Sequence, residues 1–123
     1  MTMIMLVDDS RTILMSLTSV LTKAGYRMET AANGREALDK VTAGLRPNLI
    51  ISDVNMPVMD GITFAREVRT VPGLRFTPIL MLTTESEQSK RTAAKSAGAT
   101  GWLVKPVAPD QLLNVIKQIL PGA

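Results

Sequence analysis

Short apolar segments alternate five times with segments of helical periodicity, and this alternation constrains the fold more than any other feature. The apolar segments are rich in Ile, Leu, Val and Met and are too short for helices, as expected of strands buried on both faces of a sheet. The segments between them repeat apolar residues every three or four positions, as amphipathic helices do. Strands that alternate with helices in this way form parallel sheets with helices packed on both faces.

The predicted strands lie at 3–7, 27–31, 49–52, 79–82 and 101–104. Right-handed crossovers leave few topologies for five such strand-helix units. We therefore predict an α/β fold in which residues 1–123 form a single domain. Its doubly wound, parallel five-stranded sheet should have the order 2-1-3-4-5, as in flavodoxin-like proteins.

Individual residues mark where several helices should begin and end. Asn33 and Asp60 precede helical patterns and can accept hydrogen bonds from free N–H groups of the first turn. Gly25 and Gly44 follow helical patterns and suit the left-handed conformation at a helix end. The helix expected at 86–97 has only small apolar residues on its inner face, so it should dock more weakly than the others.

Composition removes several classes of function. The chain has no cysteine and no histidine, which excludes disulfides, thiolate zinc sites, imidazole bases and a phosphohistidine of its own. The net charge is +3, but no run of basic residues accompanies it, so we expect no DNA binding. No apolar run approaches membrane-spanning length and the first residues lack signal-peptide features. We expect a cytoplasmic protein that does not insert into membranes.

Polar residues follow the predicted strands at their carboxyl ends, where ligands bind in sheets of this type. Asp8 and Asp9 follow the first strand, and Asp53 follows the third. Carboxylates brought together repel each other by about 4 kcal/mol per pair at 4 Å and an effective dielectric of 20. A hard divalent cation relieves that repulsion, and an all-oxygen ligand set favours magnesium. The sequence therefore predicts a Mg²⁺ site.

Two further strand ends carry a hydroxyl and a cation. Thr83 follows the fourth strand, and Lys105 follows the fifth, directly before Pro106, where a cis peptide bond is possible. A fixed ammonium beside a carboxylate cluster can offset the charge of an additional anion that binds there. A carboxylate nucleophile, a metal site, a hydroxyl and a lysine are together what phosphoryl transfer requires.

With these motifs the chain resembles the receiver domains of two-component response regulators. The resemblance rests on the acid pair in LVDDS, the phosphoacceptor motif SDVNMPVMDG, the hydroxyl strand LTTE and the lysine motif LVKPV. It extends over essentially the whole chain, with every motif in order. Because no output domain follows, the chain is most similar to stand-alone chemotaxis regulators of the CheY type. Such a protein is a signalling switch that catalyses only its own phosphorylation and dephosphorylation.

The resemblance implies a role for each residue of the pocket. Asp53 would accept a phosphoryl group from the phosphohistidine of a kinase. Asp9, Asp53 and the backbone carbonyl of Asn55 would bind Mg²⁺ directly, with Asp8 acting through water. Asp53 is expected to have no partner within the chain, because its partners would be the metal ion and the phosphoryl group. Lys105 and Thr83 would contact the phosphoryl oxygens.

The resemblance also implies a switch. Movement of the Thr83 hydroxyl would let an aromatic residue on the fifth strand turn inward, and Trp102 occupies that position, where the family usually has tyrosine or phenylalanine. The alternative is that Trp102 is an anchor that packs on the small-residue helix and does not turn. Asn55 and Glu85 match residues that tune how fast water attacks the acyl phosphate, which suggests rapid self-dephosphorylation.

The implied partners are proteins. The output surface would comprise the fourth helix, fifth strand and fifth helix, with a basic set of residues that suits an acidic partner: Lys90, Arg91, Lys95 and Lys117. We expect a monomer that receives phosphate from a CheA-like sensor histidine kinase and binds an output protein such as a flagellar motor switch protein. A phosphatase is a possible third partner. A phosphorelay intermediate or a cell-cycle adaptor remains open as an alternative.

Two proteins of other classes share parts of this pattern. A haloacid-dehalogenase-type phosphatase also uses an aspartyl nucleophile with magnesium, but it has a second aspartate where this chain has Asn55, and its nucleophile lies at the first strand. A flavodoxin-like electron carrier would need a phosphate-binding loop after the first strand. The acidic segment VDDSRT would repel a phosphate there unless a metal ion were bound.

Overall fold

A parallel five-stranded sheet of order β2-β1-β3-β4-β5 carries helices on both faces in this computed structural model, which describes residues 2–84 and 90–120. The strands are β1 Met3–Val7, β2 Arg27–Ala31, β3 Leu49–Asp53, β4 Ile79–Thr83 and β5 Gly101–Val104. The helices are α1 Arg11–Lys23, α2 Gly34–Thr42, α3 Gly61–Val68, α4 Arg91–Ser96 and α5 Pro109–Ile119. The predicted fold class and strand order are confirmed. None of the helices in the described part of the chain is long and apolar enough to cross a membrane.

Two strands are one residue longer than predicted, and the added residues belong to the pocket. Asp53 is the last residue of β3 and pairs with Leu82, while Thr83 is the last residue of β4 and pairs with Val104. The sequence places both polar residues at strand ends, directly after the apolar segments 49–52 and 79–82. The sheet instead holds the backbone of each in its ladder, so both side chains start from rigid positions.

The two faces of the sheet bury separate apolar cores. On one face, strand residues such as Met5, Ile50 and Met81 pack with residues of α2 and α3, including Phe64. On the other face, Leu6 and the alternate residues of its neighbours pack with α1 and α5. All residues of β3 and β4 are buried, which explains why both strands begin with continuous apolar runs, at 49–51 and 79–82.

The predicted helix boundaries are confirmed where local chemistry specified them. The side chains of Asn33 and Asp60 accept hydrogen bonds from the backbone N–H groups of the residues three positions on, at 2.9 and 2.7 Å. Gly25 and Gly44 have positive φ angles of 99° and 122° after α1 and α2. Ser10 also caps α1, accepting a hydrogen bond at 3.3 Å from the backbone of the first turn, and we did not predict this cap.

Helix α4 packs less extensively than its neighbours, as its small residues led us to expect. Ala94 is its one buried residue, and the first residues of the predicted helix, 86–89, lie outside the described part of the chain. Beyond the C-terminal end of α4, the guanidinium of Arg69 donates hydrogen bonds to the carbonyls of Thr77 and Gly98 at 2.6 and 2.5 Å.

Gly61, the first residue of α3, lies against the backbone of the predicted phosphoacceptor. A Cβ atom at this position would be 2.0 Å from the carbonyl oxygen of Asp53 and 3.1 Å from the Oγ of Ser52. The Gly61 N–H donates a 2.8 Å hydrogen bond to the carbonyl of Val54. The close contact, and not an unusual φ angle, therefore requires glycine here.

We predict that Gly61→Ala lowers the free energy of unfolding by about 2–4 kcal/mol, because backbone atoms must shift to admit the methyl group. Gly25→Ala is the matched control, since a Cβ there has no neighbour within 4 Å and only the positive φ is unfavourable. That control should cost about 1 kcal/mol. Urea unfolding measures both, and equal losses would contradict the prediction.

Candidate functional site

Three carboxylates converge at the carboxyl ends of β1 and β3. Asp8, Asp9 and Asp53 each place a carboxylate oxygen within 4.8 Å of the other two. Asp8 is fully buried and Asp53 is 5% exposed, whereas Asp9 faces solvent. The parallel register aligns these strand ends, so the predicted convergence of the three acids is present in the fold.

Lys105 bridges the two buried acids from the end of β5. Its ammonium lies 3.1 Å from Oδ2 of Asp8 and 3.2 Å from Oδ1 of Asp53. The backbone N–H of Val54 also donates a 2.9 Å hydrogen bond to Oδ1 of Asp53. The expectation that Asp53 has no partner within the chain is therefore wrong. The Lys105–Pro106 peptide bond is cis, as its sequence allowed.

Burial and charge shift the proton equilibria of this cluster. Burial, and then the neighbouring charge of Asp8, raise the pKa of Asp53 to about 6, although Lys105 acts in the opposite direction. Burial opposes ionisation of Lys105, but the charges of Asp53 and Asp8 outweigh it and raise the pKa of its ammonium above the ordinary value. The lysine therefore stays charged at neutral pH, while Asp53 is held in a costly anionic form.

The cluster fits a hard divalent cation by its charge and its donor atoms. Three carboxylates face one ammonium group, so the pocket keeps surplus negative charge after the ion pairs of Lys105 are counted. Its donors are carboxylate oxygens without sulfur or imidazole, which Mg²⁺ prefers. The contribution of the Asn55 carbonyl to such a site stays a prediction.

Thr83 places a hydroxyl without a partner at the end of β4. Its side chain is 2% exposed, and its Oγ1 has no hydrogen-bond partner among the residues that the structure describes. A buried hydroxyl of this kind costs free energy until an acceptor reaches it. The neighbouring Thr84 has an interaction of its own, so Thr83 is the hydroxyl that suits an incoming acceptor.

Asn55 lies on the exposed side of the pocket and contacts the start of α4. The ammonium of Lys90 donates a 2.6 Å hydrogen bond to Oδ1 of Asn55, although we had assigned Lys90 only to the partner surface. No pattern in the sequence indicates this contact, because it joins residues 35 positions apart. Glu85, the second predicted tuning residue, lies outside the described residues.

Trp102 lies on β5 beneath a cation from α4. The guanidinium carbon of Arg91 is 4.6 Å from the centre of the indole ring, a cation–π contact. Trp102 is partly buried against the core on that face of the sheet. Lys95 and Lys117, the other members of the predicted basic surface, are exposed.

Comparison with known proteins places this arrangement in a family context. The model of the response regulator receiver domain matches residues 4–117. The chemotaxis response regulator CheY4 of Vibrio cholerae is 50% identical, with a TM-score of 0.91 over 98% of this chain and 99% of that chain. The receiver domain of sensor histidine kinase PA1611 from Pseudomonas aeruginosa, with magnesium coordinated in its active-site cleft, is 29% identical with a TM-score of 0.86. That comparison covers 95% of both chains.

Curated sequences give a second set of relatives. Response regulator MprA of Mycolicibacterium vanbaalenii is 39% identical over 117 residues, which are 95% of this chain and 49% of that protein. Response regulator MprA of Mycobacterium avium is 38% identical over the same length and 50% of that protein. The chain thus spans about half the length of the curated relatives it matches.

We predict that Asp53→Asn stabilises the metal-free protein at neutral pH. Because the folded pKa of Asp53 is raised from 3.8 to about 6, its protonated form stabilises the fold at low pH. That stability is fully present below the unfolded pKa and is lost as the pH rises through about 6. The wild type should therefore lose about 2 kcal/mol between pH 4 and pH 8 that the variant does not lose.

Urea unfolding in a chelator across this pH range measures the difference. Asp39→Asn is the control, because Asp39 forms an exposed pair with Arg35 and should change stability little at any pH. If the free energy of unfolding changed with pH in the same way for the wild type and Asp53→Asn, the raised pKa of Asp53 would be contradicted.

Proposed function

Since the chain belongs to the family of response regulator receiver domains, we propose that it is a phosphorylation-controlled switch with Asp53 as its phosphoacceptor. Receiver domains act in signalling and are not metabolic enzymes. The observation that carries the proposal is the convergence of Asp8, Asp9 and Asp53 at one end of the sheet, where the ammonium of Lys105 pairs with Asp8 and Asp53.

Phosphoryl transfer at this pocket uses Asp53 as the nucleophile. A carboxylate oxygen of Asp53 forms a bond to phosphorus as the bond from phosphorus to the donor breaks. The electron pair of that bond stays with the imidazole nitrogen of a phosphohistidine, or with the carboxylate oxygen of an acyl phosphate such as acetyl phosphate. Because the chain has no histidine, the donor is a sensor histidine kinase or a small phosphodonor. In hydrolysis, water attacks phosphorus and the carboxylate of Asp53 leaves.

The pocket residues offset the charge of the phosphoryl group. Asp9, Asp53 and the Asn55 carbonyl, with Asp8 through water, would hold Mg²⁺, which neutralises charge on the phosphoryl oxygens. Lys105 exchanges part of its ion pairing with Asp53 for a phosphoryl oxygen. Tuning of hydrolysis by Asn55 and Glu85, with rapid self-dephosphorylation, belongs to this proposal.

The hydroxyl of Thr83 couples phosphorylation to the output surface. A hydrogen bond to a charged acceptor contributes about 1.5–3 kcal/mol, so Thr83 and Lys105 together supply roughly 3–6 kcal/mol. About 5.5 kcal/mol moves an equilibrium from 1:99 to 99:1. The movement of Thr83 makes room for Trp102 to turn inward, and this changes the surface formed by α4, β5 and α5.

A role in chemotaxis is supported by similarity to CheY4 over nearly the full length of both chains. We propose a CheA-like kinase as donor and a flagellar motor switch protein as output partner, with a phosphatase as a further partner of a cytoplasmic monomer. The exposed Lys95 and Lys117 suit an acidic partner. The alternative is a phosphorelay intermediate or cell-cycle adaptor, and the longer MprA relatives show that similar sequences occur in other regulators.

The proposal predicts that beryllofluoride, a phosphoryl mimic, changes the fluorescence of the single tryptophan only when Mg²⁺ is present. Wild type should respond and should capture its output partner in a pull-down, whereas Asp53→Ala should do neither. The same response in both proteins would show that Asp53 is not the acceptor.

We also predict that Thr83→Val separates stability from switching. Valine has the shape of threonine without the unpartnered hydroxyl, so the resting variant should be as stable as the wild type or up to about 1 kcal/mol more stable. It should still gain a phosphoryl group but lose most of the Trp102 response. Thr18→Val is the matched control, because Thr18 also has a buried, unpartnered Oγ1 but lies on α1. A full Trp102 response in Thr83→Val would rule out the coupling.

A further inference from the structure

Lys90 reaches from the start of α4 to the loop that follows the phosphoacceptor. Its ammonium donates a 2.6 Å hydrogen bond to Oδ1 of Asn55, across 35 positions of the chain. Both residues are exposed, so neither needs this contact to satisfy a buried polar group. Asn55 lies only two residues after Asp53, and a group that holds its amide therefore acts at the edge of the reacting site.

Lys105, the cation on the inner side of the pocket, already forms ion pairs. Lys105 contacts both buried carboxylates, which offset most of its charge. By contrast, none of the ion pairs among the described residues involves Lys90. Its partner is a neutral amide, so no carboxylate among the described residues offsets the charge of Lys90 at the exposed side of the pocket.

We propose that Lys90 is a positioning residue for phosphoryl transfer at Asp53. It fixes the orientation of the Asn55 amide, because an ammonium group can only donate and therefore selects the amide oxygen as its partner. It also places a second positive charge on the side from which an anionic donor reaches a pocket of three carboxylates. This inference rests on the proposed function, since it assigns Lys90 to the same reaction.

The electrostatic part of the effect follows from the charges. An anionic phosphodonor approaching Asp8, Asp9 and Asp53 is repelled, and a cation at the rim reduces that barrier. Between partly solvated charges, the lowered barrier should raise the rate of phosphoryl transfer about three- to tenfold at low ionic strength. Salt screens charges near the surface, so the advantage should shrink at high salt.

The test is the rate at which acetyl phosphate phosphorylates the purified chain at saturating Mg²⁺, followed by intact-protein mass. Lys90→Met should slow the reaction about three- to tenfold at low salt, and Lys90→Arg should restore most of the rate because it keeps the charge and can donate to Asn55. Lys23→Met is the matched control: it removes the same charge from an exposed position in the last turn of α1 and should leave the rate near that of the wild type.

Two further readouts separate positioning from a structural effect. The loss in Lys90→Met should diminish as salt is raised, whereas a distorted pocket would stay slow. In the background of Asn55→Ala, Lys90→Met should have a smaller effect, because the amide that it orients is gone. The Mg²⁺ affinity of Lys90→Met should not fall, since the change removes a cation from the neighbourhood of the metal site.

An unchanged rate in Lys90→Met, or an equal loss in Lys23→Met, would overturn the assignment of Lys90. Failure of the proposed function has a different signature, in which the wild type gains no phosphoryl group or Asp53→Ala gains one as fast as the wild type. The two failures are therefore distinguishable in one set of measurements.

Discussion

The ion pairs of Lys105 with Asp8 and Asp53 make the pocket possible, because they allow two carboxylates to be buried side by side at the end of the sheet. Without the lysine, each acid would face burial and like charge together, which is strongly unfavourable. With it, the cluster is partly compensated but still negative. A pocket in this condition can take up a divalent cation, and in the proposed function its ammonium moves from a carboxylate to a phosphoryl oxygen.

Helix α4 is the element best suited to shift when the contacts of the pocket change. It buries little of its own surface, so its position depends on a few polar contacts and not on a large apolar interface. Lys90 joins its start to Asn55, Arg91 lies over Trp102, and Arg69 holds the carbonyl of Gly98 beyond its end. Two consecutive residues at the start of one short helix thus contact the carboxylate pocket and the proposed output surface.

Much of the fold could be predicted because its determinants are local. Apolar runs specified the strands, and the side chains of Asn33 and Asp60 specified two helix starts. The predicted bounds of β3 and β4 were one residue short because each strand ends in a polar residue. Asp53 and Thr83 have polar side chains that indicate a loop, but their backbones complete the strand ladder, and only the neighbouring strands supply those hydrogen bonds.

By itself, the sequence determined the order of the strands and the end of the sheet at which the polar residues lie, because strand alternation and right-handed crossovers depend on chain pattern and chirality. Only the tertiary structure decided which of those residues touch. Lys105 meets Asp8 across 97 positions, and Lys90 meets Asn55 across 35. Side-chain reach and packing between separate elements set these contacts, and no local pattern encodes them. For the same reason the sequence did not predict the ion pair between Asp53 and Lys105 or the hydrogen bond between Lys90 and Asn55.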